Sequence, residues 1–96
     1  MKTRFQNKVI LRLKKLREMS GLSQAAIASL LGISPGQLGN IESYKHPHKY
    51  TLSQIVKLCD KFQVSIEEIF FEKNEEVSAR SLIDAIIKYQ TSHQFK

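Results

Sequence analysis

Two side-chain amides, Gln37 and Asn40, stand three residues apart among small or polar neighbours: Ser34, Pro35, Gly36, Gly39 and Ser43. A carboxamide carries a donor beside an acceptor, which complements the N6 and N7 positions of adenine in the major groove. One such bidentate pair discriminates against a wrong base by about 1–3 kcal/mol. Directly after them comes Tyr44-Lys45-His46-Pro47-His48-Lys49-Tyr50, a basic and aromatic stretch. Ammonium groups and phenol hydroxyls suit phosphate oxygens. The His-Pro-His string invites a metal reading, but no Cys, Asp or third His lies at ligand spacing nearby, and His93 stands alone far along the chain. No metal and no cofactor is expected. No Ser/His/Asp or Cys/His set has supporting context, and no Gly-rich loop follows a strand, so no catalytic residue is expected either. Glu67-Glu68 and Glu75-Glu76 read as charges at helix N-termini.

Charge agrees with a polyanionic partner. The 96 residues carry a net charge of +6, unevenly spread: residues 1–61 hold +8 and residues 62–96 hold −2. Such an excess points to nucleic acid more often than to an anionic membrane surface, and the basic half should face it. On charge alone, a merely solvated basic surface is the alternative. Lys8, Arg12, Lys14 and Lys15 either supply a long-range field or form such a solvated face. Cys59 is the only cysteine and sits among apolar positions, which suggests a buried reduced thiol in a cytoplasmic protein without a disulfide. No apolar run has the length of a membrane span or of a signal peptide.

The elements that must position these residues are helical. A chain of this length buries roughly 60–68% of its unfolded surface, enough for one modest core. Apolar residues recur at helical spacing and no segment alternates with period two, so the expected class is all-α. The first helix is expected over Asn7–Met19, with Val9, Leu13 and Leu16 inward and Ser20-Gly21 as its stop. The second runs over about 23–31, capped by Ser23, with Ile27, Leu30 and Leu31 as its stripe. The third runs over about 34–43, opened by Ser34, Pro35 and a capping box to Gln37. Further boxes at Thr51/Gln54 and Ser65/Glu68 start a fourth and a short fifth helix. A last helix is expected from Glu75 to Tyr89, capped by Asn74, with a stripe of Ala79, Leu82, Ile83, Ile86 and Ile87.

The second and third helices are separated by only Gly32-Ile33-Ser34, so they must cross steeply. Ala28 supplies a small residue at the crossing, Gly32 a backbone reversal, and Ile27, Leu31, Ile33, Leu38 and Ile41 the apolar lock. Together with Leu16-Arg17, Leu22-Ser23-Gln24-Ala25, Leu31-Gly32-Ile33-Ser34, Ile41-Glu42 and Leu52 to Phe70, this pattern resembles the lambda-repressor/Cro-like, or XRE, helix-turn-helix family over residues 6–71. The resemblance implies five helices, the third lying in the DNA major groove, with the sixth outside it. The chain is accordingly expected to divide into a helix-turn-helix domain over 1–72 and, outside the resemblance, a C-terminal helix with a frayed tail over 73–96. The resemblance also implies roles. Gln24 matches a position that grips a phosphate, as helix N-termini favour anions. Arg17 and Glu42 match an internal salt bridge that fixes the orientation of the third helix more than it stabilises. Tyr44, Lys45, His48, Lys49 and Tyr50 lie in a loop that follows the phosphate backbone. Base reading falls to Ser34, Pro35, Gly36, Gln37, Asn40 and Ser43. Gly36 and Gly39 offer no side chain, which leaves close backbone approach, modest specificity, or loss of base reading open.

One reading helix covers few base pairs, and specific affinity usually takes two half-sites about one helical turn, ~34 Å, apart. A homodimer on double-stranded DNA is therefore expected, with Leu82, Ile83, Ile86 and Ile87 as its interface; the alternative is that this helix folds back onto its own core. The expected function is a transcriptional regulator, a repressor on an inverted repeat. One alternative is an antitoxin that binds a protein toxin and its own operator. The other is an interaction domain that has lost DNA binding.

Overall fold

Every helix among the described residues begins at a hydroxyl. In the computed structural model, which describes residues 1–91, Thr3, Ser23, Ser34, Thr51, Ser65 and Ser78 are the N-caps of six helices. These are α1 Arg4–Met19, α2 Gln24–Leu31, α3 Pro35–Glu42, α4 Leu52–Phe62, α5 Ile66–Phe70 and α6 Ala79–Gln90. Each cap oxygen accepts from a backbone N–H three residues on, a contact of about 1 kcal/mol. The class is all-α. The tail over 92–96, with His93 and the frayed end expected there, lies outside the described residues.

Two starts differ from the sequence expectation. Helix α1 begins at Arg4 rather than Asn7, because Thr3 and Gln6 form a reciprocal capping box around Arg4 and Phe5. Helix α6 begins at Ala79 rather than Glu75. Asn74 does not cap it; Ser78 does, with Ser81 completing the box, while the Glu72 N–H is held by the Glu75 side chain in a turn. Gly21 and Gly32 adopt left-handed φ of 71° and 72° where the chain reverses between helices, and Gln63 ends α4 at φ 57° without being glycine.

All six helices contribute to one buried cluster. Leu38 and Ile41 of α3 share it with Val9 and Leu13 of α1 and with Ala28 of α2. Leu30, expected in the inner stripe of α2, is exposed, because this eight-residue helix turns Ile27, Ala28 and Leu31 inward. The stripe expected on α6 is divided. Ala85 and Tyr89 are buried, Leu82 and Ile86 are half-buried against the core, and Ile83 and Ile87 are each 56% exposed. Tyr89 sets this rotation: its ring stacks on Phe70 at 5.8 Å and its hydroxyl donates to the Tyr50 carbonyl at 2.8 Å. Leu82 and Ile86 thus take part in the chain's own packing, while Ile83 and Ile87 stay on the surface.

Helix α1 and the residues before it act as a spine that satisfies the carbonyl ends of other helices. The last carbonyls of any helix lack intrahelical donors. Lys2 donates to Ile41 and Ser43 at the end of α3, Gln6 to Tyr89 and Thr91 at the end of α6, and Arg12 to Ile69 near the end of α5. None of the helices described is long and apolar enough to cross a membrane.

Candidate nucleic-acid interface

The turn between α2 and α3 is built from backbone chemistry. The Gly32 N–H donates back to Ala28 and Ser29, and the Ile33 N–H to Ala28 at 3.0 Å. Ser34 then accepts from the Gln37 N–H at 3.1 Å while the Gln37 side-chain carbonyl accepts from the Ser34 N–H at 2.8 Å. Pro35 occupies the first helical position, where a missing N–H removes no bond. With Leu38 and Ile41 buried beneath, α3 turns Ser34, Pro35, Gly36 and Gln37 outward, with Gly39, Asn40 and Ser43 half-exposed beside them.

A family model described as Helix-turn-helix matches residues 13–69, from within α1 to within α5 and over more than half of the chain. The chain belongs to the lambda-repressor-like, or XRE, helix-turn-helix family. The match supports a DNA-binding regulator of transcription. No curated protein and no solved structure gave a significant match. Helix α6 lies beyond the matched stretch.

In this helix-turn-helix domain α3 is fixed by a buried charge cluster. Arg17 Nε donates to Glu42 Oε2 at 2.8 Å and Arg17 Nη2 to Glu42 Oε1 at 3.0 Å, a two-pronged pair that joins α1 to α3. The remaining Arg17 nitrogen donates to the Leu22 carbonyl at 2.8 Å. The Glu42 side chain is 2% exposed. The hydrogen bond to Glu42, and then its field, raise the Arg17 pKa further above an already high value. Gln24 belongs to the same cluster: its amide nitrogen donates to Glu42 Oε1 at 2.9 Å. This corrects the expectation that the Gln24 side chain reaches out to a phosphate. What the start of α2 keeps for an anion is its first backbone N–H groups, which have no intrahelical acceptor.

The base-reading candidates are unequal. Gln37 has its carbonyl occupied in the capping box, so bidentate pairing with adenine would require breaking that contact. Asn40 makes no side-chain hydrogen bond with any of the described residues and keeps both of its amide functions. The Ser43 hydroxyl accepts from the Lys45 N–H at 3.3 Å. A methyl group added at Gly36 or Gly39 would meet nothing nearer than Ser34 Oγ at 3.9 Å or Gln24 Oε1 at 3.8 Å, an ordinary contact in each case. Nothing inside the molecule requires glycine at these helical positions, although each weakens the helix by about 1 kcal/mol relative to alanine.

Of the loop residues, Tyr44, Lys45 and His48 are exposed and Lys49 half-buried. Tyr50 is the exception. It is 2% exposed, and burial pushes its phenol far above the ordinary tyrosine range, so it faces the core and not a phosphate. A sequence signal for this existed. Tyr50 and Ile55 stand at the two positions that a hydrophobic staple pairs around the Thr51 cap, and both are buried. The α1 cations divide as well. Lys8 and Arg12 pair with Glu72 at 3.1 and 2.6 Å, whereas Lys14 and Lys15 make no ion pair with any of the described residues. Sequence reasoning missed Lys2 and Gln6 altogether, because each bonds to residues 39 or more positions away.

Proposed function

We propose that the protein is a repressor that binds an inverted-repeat operator as a homodimer, laying the outer face of α3 in the major groove. The observation that carries this reading is the juxtaposition of an open α3 face, with Asn40 uncommitted, and the exposed cationic loop that follows it. Asn40 takes the bidentate base contact. Ser34, Pro35, Gly36 and Ser43 line the approach, and Gln37 contributes its free amide nitrogen. Lys45, His48, Lys49 and Tyr44 follow the phosphates, helped by the backbone at the start of α2. Ile83 and Ile87, exposed on α6, form the dimer contact in place of the full four-residue stripe.

Selection from randomised duplex DNA tests this. The expected outcome is an inverted repeat with half-sites about one helical turn apart. Asn40→Ala should relax preference at one base position and leave binding to random duplex nearly intact, a loss of about 1–3 kcal/mol in discrimination. Absence of any mobility shift with random DNA at low salt and micromolar protein overturns the reading. The exposed Ile83/Ile87 face also favours a second reading, an antitoxin whose α6 holds a protein toxin. A chain that stays monomeric alone and pairs only with a different protein supports that second reading.

A further inference from the structure

We infer that Lys2 is a positioning residue for the reading helix, its ammonium clamping the carbonyl end of α3 so that the outer face of that helix is presented at one fixed angle. The inference rests on the reading of α3 as the element that meets DNA. Helix α3 has only eight residues, two of them glycine, and no basic residue in its last turn. Its C-cap, Ser43, is extended rather than left-handed, and the Ser43 N–H satisfies Gly39 alone. Of the carbonyls beyond, Ser43 accepts the His46 N–H at 3.3 Å, while Ile41 lacks a backbone donor among the described residues. Lys2 Nζ supplies the donor, donating to Ile41 at 2.6 Å and to Ser43 at 2.7 Å. A cation there also meets the negative end of the helix dipole.

Two observations separate this contact from a solvated lysine. Lys2 is 7% exposed, and no carboxylate pairs with it among the described residues. Lysine is almost never so buried unless paired, and here the partners are α3 carbonyls. Burial lowers its pKa accordingly. The other tie between α1 and α3 is Arg17, which holds the side chain of Glu42. Lys2 holds the backbone on either side of that residue, and it directly precedes Thr3, which caps α1. The start of the spine and the end of the reading helix are thus fixed by adjacent residues.

The test compares Lys2→Met with the wild-type chain by amide hydrogen exchange and by binding to a selected duplex and to random duplex. Faster exchange is expected in Leu38–Ser43 while α2 and α4 stay within about twofold, with affinity for the selected duplex falling about tenfold. Binding to random duplex and the dependence on salt should be unchanged. Equal loss on both duplexes with a salt slope smaller by about one makes Lys2 a phosphate contact and overturns the inference. Uniformly faster exchange in every helix, or no change at all, overturns it too. If Lys2→Met fails to fold, Lys2→Gln, shorter and neutral, carries the same test with the same expected pattern. A wild-type chain that shifts no duplex overturns the reading of α3 and this inference together. A wild type that discriminates, with Lys2 variants that discriminate equally well, overturns this inference alone.

Discussion

Arg12 and Arg17 lie on the same helix and make the same kinds of bond. Arg12 donates to the Ile69 carbonyl and to Glu72; Arg17 donates to the Leu22 carbonyl and to Glu42. The carboxylates make the difference, since the side chain of Glu42 is 2% exposed and that of Glu72 is 57% exposed. Water screens the first cluster and is excluded from the second. An exposed pair contributes little net stability, while a buried charge that loses its partner is strongly unfavourable. Identical donor chemistry therefore gives a replaceable contact beside α5 and a rigid joint behind α3.

The largest break in this comparison is Glu42→Ala. It strands Arg17 in the interior and leaves Gln24 without its acceptor, so a loss of about 3–5 kcal/mol is expected in thermal or denaturant unfolding. A loss no greater than that of a surface pair would make the two clusters equivalent. Next comes replacing both partners, Arg17→Met with Glu42→Leu. Apolar residues of similar size often match a buried pair in stability. Most of the stability should return, while discrimination between operator and random duplex stays impaired, because Lys2 is then the one directional tie left between the spine and α3 among the described residues. Full recovery of discrimination would show that packing and Lys2 alone orient the helix.

A smaller effect of opposite sign is expected on the face of α3 itself. Gly39→Ala should raise stability by about 1 kcal/mol, since the added methyl makes only an ordinary contact with Gln24 and the helix gains a better former. It should weaken operator binding at the same time if DNA approaches the helix backbone closely. A variant that is more stable and binds equally well would remove that approach from the account. The smallest effect is expected from Glu72→Ala, with no resolvable change in the melting temperature at neutral pH. Hydrogen bonding to Lys8 and the field of Arg12 lower the Glu72 pKa. The contribution of Glu72 is therefore present above the ordinary carboxylate range and lost as pH falls through its depressed value. Wild type and variant should converge there, and divergence on acidification would contradict the assignment.

Local order was legible in the residues themselves; of the contacts that join distant residues, the Arg17–Glu42 pair came through the family resemblance and those of Lys2, Gln6 and Gln24 did not. The capping boxes at Ser34, Thr51 and Ser65 announce α3, α4 and α5, because both partners of each box lie within one turn. The same rule misplaces α6: Asn74 followed by acidic residues resembles a helix start, yet Ser78 and Ser81 provide the box that forms. The exposed face of α3 was legible as a segment, since a proline, a cap and two buried apolar positions fix which side of α3 faces out. The assignments of individual side chains were less so. Gln24, Gln37 and Tyr50 looked available and are engaged inside the molecule, by Glu42, by the Ser34 N–H and by the core. Lys2 had no local signal, and for Gln6 only its capping box with Thr3 was local, because their other acceptors are backbone carbonyls of helices far along the chain.

The hydroxyl of Tyr89 ends on the carbonyl of Tyr50, where the cationic loop re-enters the globule, and its ring covers Phe70. A fragment cut where the family match stops, at residue 69, would lack this peg as well as Phe70, which supports it. Such a miniature should have a looser loop and a drained core edge. Anyone grafting this reader onto another protein should therefore carry the chain through residue 91.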